Sequence, residues 1–221
     1  MSVSVIVQDA RLEGRTPMSS PSSLSLDVDE GTPLEYFLNR CRSIADEQGG
    51  ISTLFIMAHG AKMASAGEYD GGDGIIFCQE LVHLGNVSRL SALAGKVEQI
   101  VLLICSPPAT SFDVHLGELG QPELSRTFHG DGNELCRQIA IHTKAKVTGA
   151  RETRSPVIEE HCTTFAGYEL SCEAGSVDLG EWDGIVVEYD ASGQIAAEWT
   201  NPSPWRDSHG AFRDPRLEQS P

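Results

Sequence analysis

The sequence predicts an α/β fold: a mostly parallel sheet flanked by helices, with an antiparallel hairpin extension toward the C-terminus. Three observations predict it. Residues 51–58 and 99–104 are almost wholly apolar, as strands covered on both faces must be. Segments of helical period alternate with them, over residues 34–45 and 133–143. Each of the two apolar strands also runs into a chemically reactive residue, the first into His59-Gly60 and the second into Cys105.

Residues 3–7 read as a short first strand, and residues 11–29, rich in Ser and Pro, as a loose connection. The clearest helix signal follows. Thr32 is placed to cap it, and Pro33 sits at the first helical position, where its missing N–H costs nothing. Leu34, Phe37, Leu38, Cys41, Ile44 and Ala45 then recur at helical spacing until Gly49-Gly50 ends the run. Beyond the strand 51–58, residues 61–74 form a Gly- and Asp-rich surface loop, and the short segments 75–77 and 80–82 fit a small hairpin. Asn86 is placed to cap a helix through Ala94, with Leu90 and Leu93 facing in and Gly95 closing it. The strand 99–104 completes a strand–helix–strand unit, which crosses over right-handedly within one sheet.

Residues 106–130 carry no convincing element, and connections that long are usually functional or disordered. Asp131 and Glu134 resemble a capping pair for the helix 133–143, which turns Leu135, Cys136, Ile139 and Ala140 inward. Residues 146–150 are a further strand. Residues 165–170, 184–189 and 194–200 read as antiparallel strands, the last two joined by the turn residues 190–193. The expected organisation is one domain over residues 1–200, its core at 32–155 and its β extension at 156–200, followed by a disordered tail over 201–221.

At 221 residues, 40% apolar and 22% charged, the chain has the size and make-up of one globular α/β domain. Its net charge of −16 opposes binding to nucleic-acid phosphates and to an anionic membrane surface. No apolar run approaches the roughly 18 residues of a membrane helix, and the start, Met1-Ser-Val-Ser-Val5, lacks the basic leader of a signal peptide. The six cysteines (41, 78, 105, 136, 162 and 172) are scattered, which points to a reducing cytoplasmic setting. Cys162 and Cys172 fall where a hairpin would bring them together, though that compartment disfavours a disulfide.

A thiol needs an acid or base partner to attack a carbonyl and expel an amide leaving group. Neighbouring parallel strands deliver their last residues to one edge of a sheet, where α/β proteins bind ligands. His59 and Cys105, 46 residues apart, therefore make a candidate Cys/His nucleophilic site. Ser106-Pro107-Pro108 cannot continue a ladder, so Cys105 belongs at the rim. Gly60 has no side chain, and its N–H can face a substrate oxyanion. His129 and His209 also precede Gly, but in polar, Pro/Gly-rich surroundings typical of solvated loops. Cys41 and Cys136 belong to the core faces of helices, while Cys78, at a hairpin, stays open between core and rim. There is no GxSxG elbow, P-loop, HExxH or CxxC cluster, and neither metal nor cofactor is expected.

The order of these features (apolar strand, His-Gly, Gly-rich loop, helix, apolar strand, Cys) resembles the caspase-like cysteine peptidases of clan CD, and among them the bacterial CHAT-type and related domains. The resemblance covers residues 51–150 and rests on Gly74-Ile-Ile-Phe77, Asn86-Val-Ser-Arg-Leu-Ser-Ala-Leu93, Val97-Glu-Gln-Ile-Val-Leu-Leu-Ile-Cys105, and Asn133-Glu-Leu-Cys-Arg-Gln-Ile-Ala140 before Lys146-Val-Thr-Gly-Ala150. It implies a caspase-like three-layer sandwich and cysteine endopeptidase activity on a protein or peptide substrate. Cys105 would be the nucleophile, His59 the acid–base, and the N–H groups of Gly60 and Cys105 the oxyanion hole. It further implies a substrate added as a strand beside residues 146–154, bound at Ala150, Arg151 and Glu152. Glu152, with Asp73 or Glu80, would favour a basic residue at the cleavage site. A regulatory protein partner is compatible with this reading.

Two departures stand out. Leu103 occupies the position, two before the nucleophile, where metacaspases carry an Asp that selects basic side chains, and Ser106-Pro107-Pro108 replaces a small Gly-containing turn. The alternatives are a catalytically silent caspase-like interaction module in a signalling or defence assembly, and a flavodoxin-like binding domain. Gln8-Asp-Ala-Arg-Leu-Glu13 is a poor phosphate loop for the latter.

Overall fold

The computed structural model describes residues 2–12, 23–61, 74–104, 132–150, 157–165, 168–178 and 185–200. In chain order the elements are β1 (Val3–Asp9), β2 (Ser23–Val28), α1 (Leu34–Gln48), β3 (Ile51–Met57), β4 (His59–Ala61), β5 (Gly74–Ile76), a 3-10 helix (Val87–Leu93), β6 (Val97–Leu103), α2 (Gly132–Thr143), β7 (Lys146–Ala150), β8 (Val157–Phe165), β9 (Tyr168–Asp178), β10 (Ile185–Tyr189) and β11 (Ile195–Thr200). Seven strands make one sheet in the order β2-β1-β3-β6-β7-β10-β11. The first five run parallel, and β10 and β11 add an antiparallel hairpin at the far side of β7. The expected α/β class, the mostly parallel sheet and the C-terminal hairpin are all formed.

The connections from β2 to β3, β3 to β6 and β6 to β7 travel the same way across the sheet. Right-handed crossovers therefore set α1, the 3-10 helix and α2 on one face. A single apolar cluster joins them to that face, with Leu34, Phe37 and Leu38 of α1 and Leu135 and Ile139 of α2 over Val5, Val7, Leu54, Ile100 and Leu102. Phe37 meets Phe77 edge to face at 4.9 Å and 88°. The opposite face carries a second cluster of Ile6, Phe55, Met57, Val101, Leu103, Ala150 and Val186, joined by Leu12. With both faces covered, β3 is buried at all seven positions. A buried Gln99 is satisfied on the second face by donating to Thr148 Oγ1 at 3.1 Å.

The inward stripe of α1 matches expectation, and its end does too: Gly49 takes the left-handed conformation at φ 78°. Its start differs. Pro33 is the N-cap, at φ −60° and ψ 140°, and no side-chain bond comes from the cap. Thr32 spends its hydroxyl on Asp29 instead, donating to Oδ1 at 2.6 Å. The Leu34 N–H is met by Glu80 Oε2 at 2.6 Å, from a segment 46 residues away. Residues 11–29, expected to be a connection, contain β2. The segment 80–82 contributes one bridge, Ile75 to Val82, while the partner of β5 is β4. The helix expected after Asn86 is 3-10, and Asn86 turns its side-chain oxygen to the His83 N–H at 2.9 Å. The strand expected over 165–170 falls across the end of one longer strand and the start of the next. β8 and β9 pair antiparallel, with Cys162 directly opposite Cys172. Residues 106–130, Asp131 and the tail 201–221 lie outside the described residues. Among the described residues no helix is long and apolar enough to cross a membrane.

The β10–β11 turn is seated on α2. Asp190 Oδ1 accepts from the backbone N–H groups of Ser192 and Gln194, and Gly193 closes the turn at φ 81°. A Cβ at position 193 would lie 2.7 Å from Arg137 Cγ and 2.9 Å from Ile141 Cδ1. Gly193→Ala should therefore lower the unfolding free energy by about 1–3 kcal/mol in denaturant melts. Gly31→Ala, whose Cβ meets nothing closer than 3.5 Å, should stay within about 0.5 kcal/mol of the parent. Equal effects would mean that the turn is not packed as described.

Candidate active site

β1, β3 and β6 end level with one another. Gln8 pairs with Met57, and Met57 with Leu103, so the rim beyond these residues is a single edge. The strand order also reverses its direction of travel at β1, between β2 and β3. Ligands of open α/β sheets bind at such a switch point, beyond the carboxyl ends of the strands. His59 stands there, two residues past Met57, and Ile104 is the last described residue after β6. Cys105, Asp73, Arg151, Glu152, His129 and His209 lie outside the described residues.

β4 carries His59 and Gly60 away from the main sheet and pairs them with Ile76 and Ile75. The ladder fixes where Gly60 points. Ile75 gives its N–H to Val82 O at 2.8 Å and takes the Val82 N–H at 2.9 Å. Both of its backbone groups therefore face Val82. The Gly60–Ile75 pair is thus the wide, non-bonded kind, and the Gly60 N–H points away from β5. That donor is therefore not spent on the β4–β5 ladder.

The partly buried His59 ring sets Nε2 3.3 Å from the Arg11 carbonyl. A carbonyl only accepts, so in this contact Nε2 is the donor. Arg11 is itself clamped. Its Nε and Nη2 donate to Asp9 at 2.7 and 2.6 Å, and Nη2 also donates to the Cys78 carbonyl at 2.9 Å. Asp9 is fully buried and also accepts the Cys78 N–H at 3.2 Å. The bond to Asp9 raises the Arg11 pKa above its ordinary value, against the opposing effect of burial. Sequence reasoning missed this assembly. Its one signal was an Asp closing an apolar strand with an Arg two residues on.

Cys78 is resolved as a core thiol. It is buried, at φ 57°, and its pKa is pushed up to about 12, first by burial and then by the Asp9 charge. Cys41 and Cys136 are buried on their helices as expected, and burial raises Cys41 to about 12. Two expectations about substrate fall on described residues that are already engaged. β7 offers no edge from Val147 to Gly149, because β6 pairs along one side and β10 along the other, and Ala150 pairs with Val186 of β10. Ala150 is buried in the second cluster. Glu80 is committed to the Leu34 N–H and to Arg89 Nη1 at 2.8 Å, so it serves the fold and not a substrate pocket. Leu103, where metacaspases carry an acid, is buried on the second face. Among the described residues no group of three His, Cys, Asp or Glu is arranged to hold a metal ion.

No family model matches the chain, and no curated protein matches it.

Two predictions follow from these environments. In the native chain, Cys41 and Cys78 should resist iodoacetamide at about pH 8, where a thiol near pKa 12 is almost wholly protonated, and Cys136 should resist it because it is buried. Peptide mapping that finds Cys78 alkylated at the denatured rate would contradict its burial. Glu80 has its carboxyl pKa held below the ordinary 4.5, chiefly by the Leu34 N–H and then by Arg89. A folded-state pKa lower than the unfolded one stabilises fully above the unfolded value and is lost as pH falls through the folded one. The melting-temperature gap between the parent and Glu80→Gln should be full at about pH 7 and should narrow as the pH falls below 4.5. A gap independent of pH would contradict the charged cap.

Proposed function

We propose that the chain is a caspase-like cysteine endopeptidase that cleaves a protein or peptide substrate, with Cys105 as nucleophile and His59 as acid–base. The observation that carries this reading is the register of β3 with β6. His59 follows Met57 by two residues, Cys105 follows Leu103 by two, and Met57 and Leu103 are paired. Adjacent strands lie about 4.8 Å apart, so groups leaving them at matched positions start as near neighbours. The mostly parallel sheet, the helices on its first face and the switch point beside His59 suit a caspase-like three-layer arrangement. A reducing cytoplasmic location belongs to the proposal, since the nucleophile must stay a thiol.

The chemistry follows in two half-reactions. The Cys105 thiolate adds to the scissile carbonyl carbon, and the oxyanion formed accepts hydrogen bonds from the Gly60 and Cys105 N–H groups. The carbon–nitrogen bond then breaks as protonated His59 gives its proton to the leaving amine. That leaves a thioester on Cys105. Water, losing a proton to His59, attacks the thioester and releases the carboxylic acid product, and the sulfur leaves as thiolate. The Nε2 contact with Arg11 keeps Nδ1 as the atom that carries the proton. Preference for Arg or Lys cannot come from position 103, where Leu is buried.

The test is a peptide-library cleavage screen together with an irreversible thiol-directed peptidyl probe. The probe should modify Cys105 alone, and Cys105→Ala should abolish cleavage with little change in melting temperature. His59→Ala should lower turnover by about 10²–10⁴-fold, while His129→Ala and His209→Ala leave it intact. A chain that cleaves no member of the library and takes no probe at Cys105 would overturn the peptidase reading in favour of a catalytically silent interaction module.

A further inference from the structure

We propose that Asp9 and Arg11 form the positioning unit of this site, holding His59 in the Nε2–H tautomer so that Nδ1 is its basic atom. What Nδ1 then does rests on the peptidase reading, but the tautomer does not. The turn after β1 is tied at four points. Asp9 Oδ1 accepts the Arg11 backbone N–H at 3.1 Å and Nε at 2.7 Å, and Oδ2 accepts Nη2 at 2.6 Å. The Leu12 N–H donates to the Asp9 carbonyl at 2.9 Å. The peptide between Arg11 and Leu12 is planar and trans, so its carbonyl and its N–H point in opposite directions. Fixing the Leu12 N–H on Asp9 therefore aims the Arg11 carbonyl the other way, where His59 Nε2 stands 3.3 Å off.

The same two side chains hold the strand that carries the ring. Asp9 takes the Cys78 N–H and Arg11 donates to the Cys78 carbonyl. Cys78 lies two residues past Ile76, the partner of His59 in the β4–β5 ladder. The acceptor and the strand bearing the donor are thus referenced to one buried ion pair. An ion pair serving stability alone has no need to grip both. Asp9 and Arg11 act through His59 and are positioning residues, not catalytic ones.

The experiment reads the ring of His59 by carbon and nitrogen NMR of the full chain with labelled histidine, at about pH 8, where an ordinary imidazole is neutral. His59→Gln assigns its signals. The parent should show Nε2–H alone, and a parent with an appreciable Nδ1–H form overturns the proposal at once. Asp9→Asn keeps an acceptor for Cys78 but loses the charge. The double variant Asp9→Ala with Arg11→Ala removes both partners, so no unpaired charge is left buried to unfold the chain. Each variant that melts cooperatively should show both tautomers in exchange, the Nδ1–H form rising several-fold above the parent. A folded variant that keeps Nε2–H alone refutes the proposal, whether or not the chain cleaves peptides. Where the chain does cleave, the same variants should lower kcat about ten-fold or more with KM little changed, because Nδ1 acts only in the transition state.

Discussion

The shared register of β1, β3 and β6 is the constraint on which the rest depends. Side chains in a strand alternate with a period of two, so a one-residue slip of any of these strands would exchange its two faces. Both faces here are apolar and both are covered, by α1 and α2 on one side and by the cluster around Phe55 and Leu103 on the other. The register is therefore held by burial on two sides at once. Its consequence at the rim is that the residues following Gln8, Met57 and Leu103 emerge level. The candidate chemistry inherits its alignment from the packing of residues that take no part in it.

Around that edge, polar groups are spent on placement. The Asp9 carboxylate, wholly buried, would be costly unless paired, and removing one partner of such a pair typically costs about 3–5 kcal/mol. Here each of its oxygens has more than one donor, and the donors belong to the β1 turn and to the Cys78 turn. Glu80 does the same between the start of α1 and Arg89. These two carboxylates bind the segment 74–86 to the top of the sheet, which in turn holds β4 and the Gly60 N–H in place. The left-handed backbone of Cys78 at φ 57° is the local strain that this anchoring sustains.

What the sequence made legible and what it hid divide along physical lines. β3 and β6 were readable because continuous apolar runs have few alternatives, and α1 and α2 because their inward residues recur every three to four positions. His59 was readable because it ends such a strand. β2 was missed although Ser23-Leu-Ser-Leu26 alternates; it is an edge strand, half exposed, whose pairing with β1 comes from backbone bonds. The caps and clamps were hidden for a different reason. Glu80 reaches 46 residues back and Arg11 reaches 67 residues forward, and no local pattern encodes such partners. The group orienting His59 is a backbone carbonyl, which every residue possesses and no residue type announces. The pairing of β10 with β7 was hidden for the same reason, since their registered residues lie some forty positions apart in the chain.

The central claim is that His59 and Cys105 act on one another across the β3–β6 edge. The most direct measurement is the rate of Cys105 alkylation by a small haloacetamide as a function of pH, in the parent and in His59→Ala. An isolated thiol titrates once, near its ordinary pKa of about 8.5, whereas a thiol coupled to an imidazole shows macroscopic steps that belong to the pair. The account predicts that the parent retains a reactive thiolate below neutral pH, and that His59→Ala collapses the profile to a single step near the ordinary thiol value. Superimposable profiles in the two proteins would contradict it.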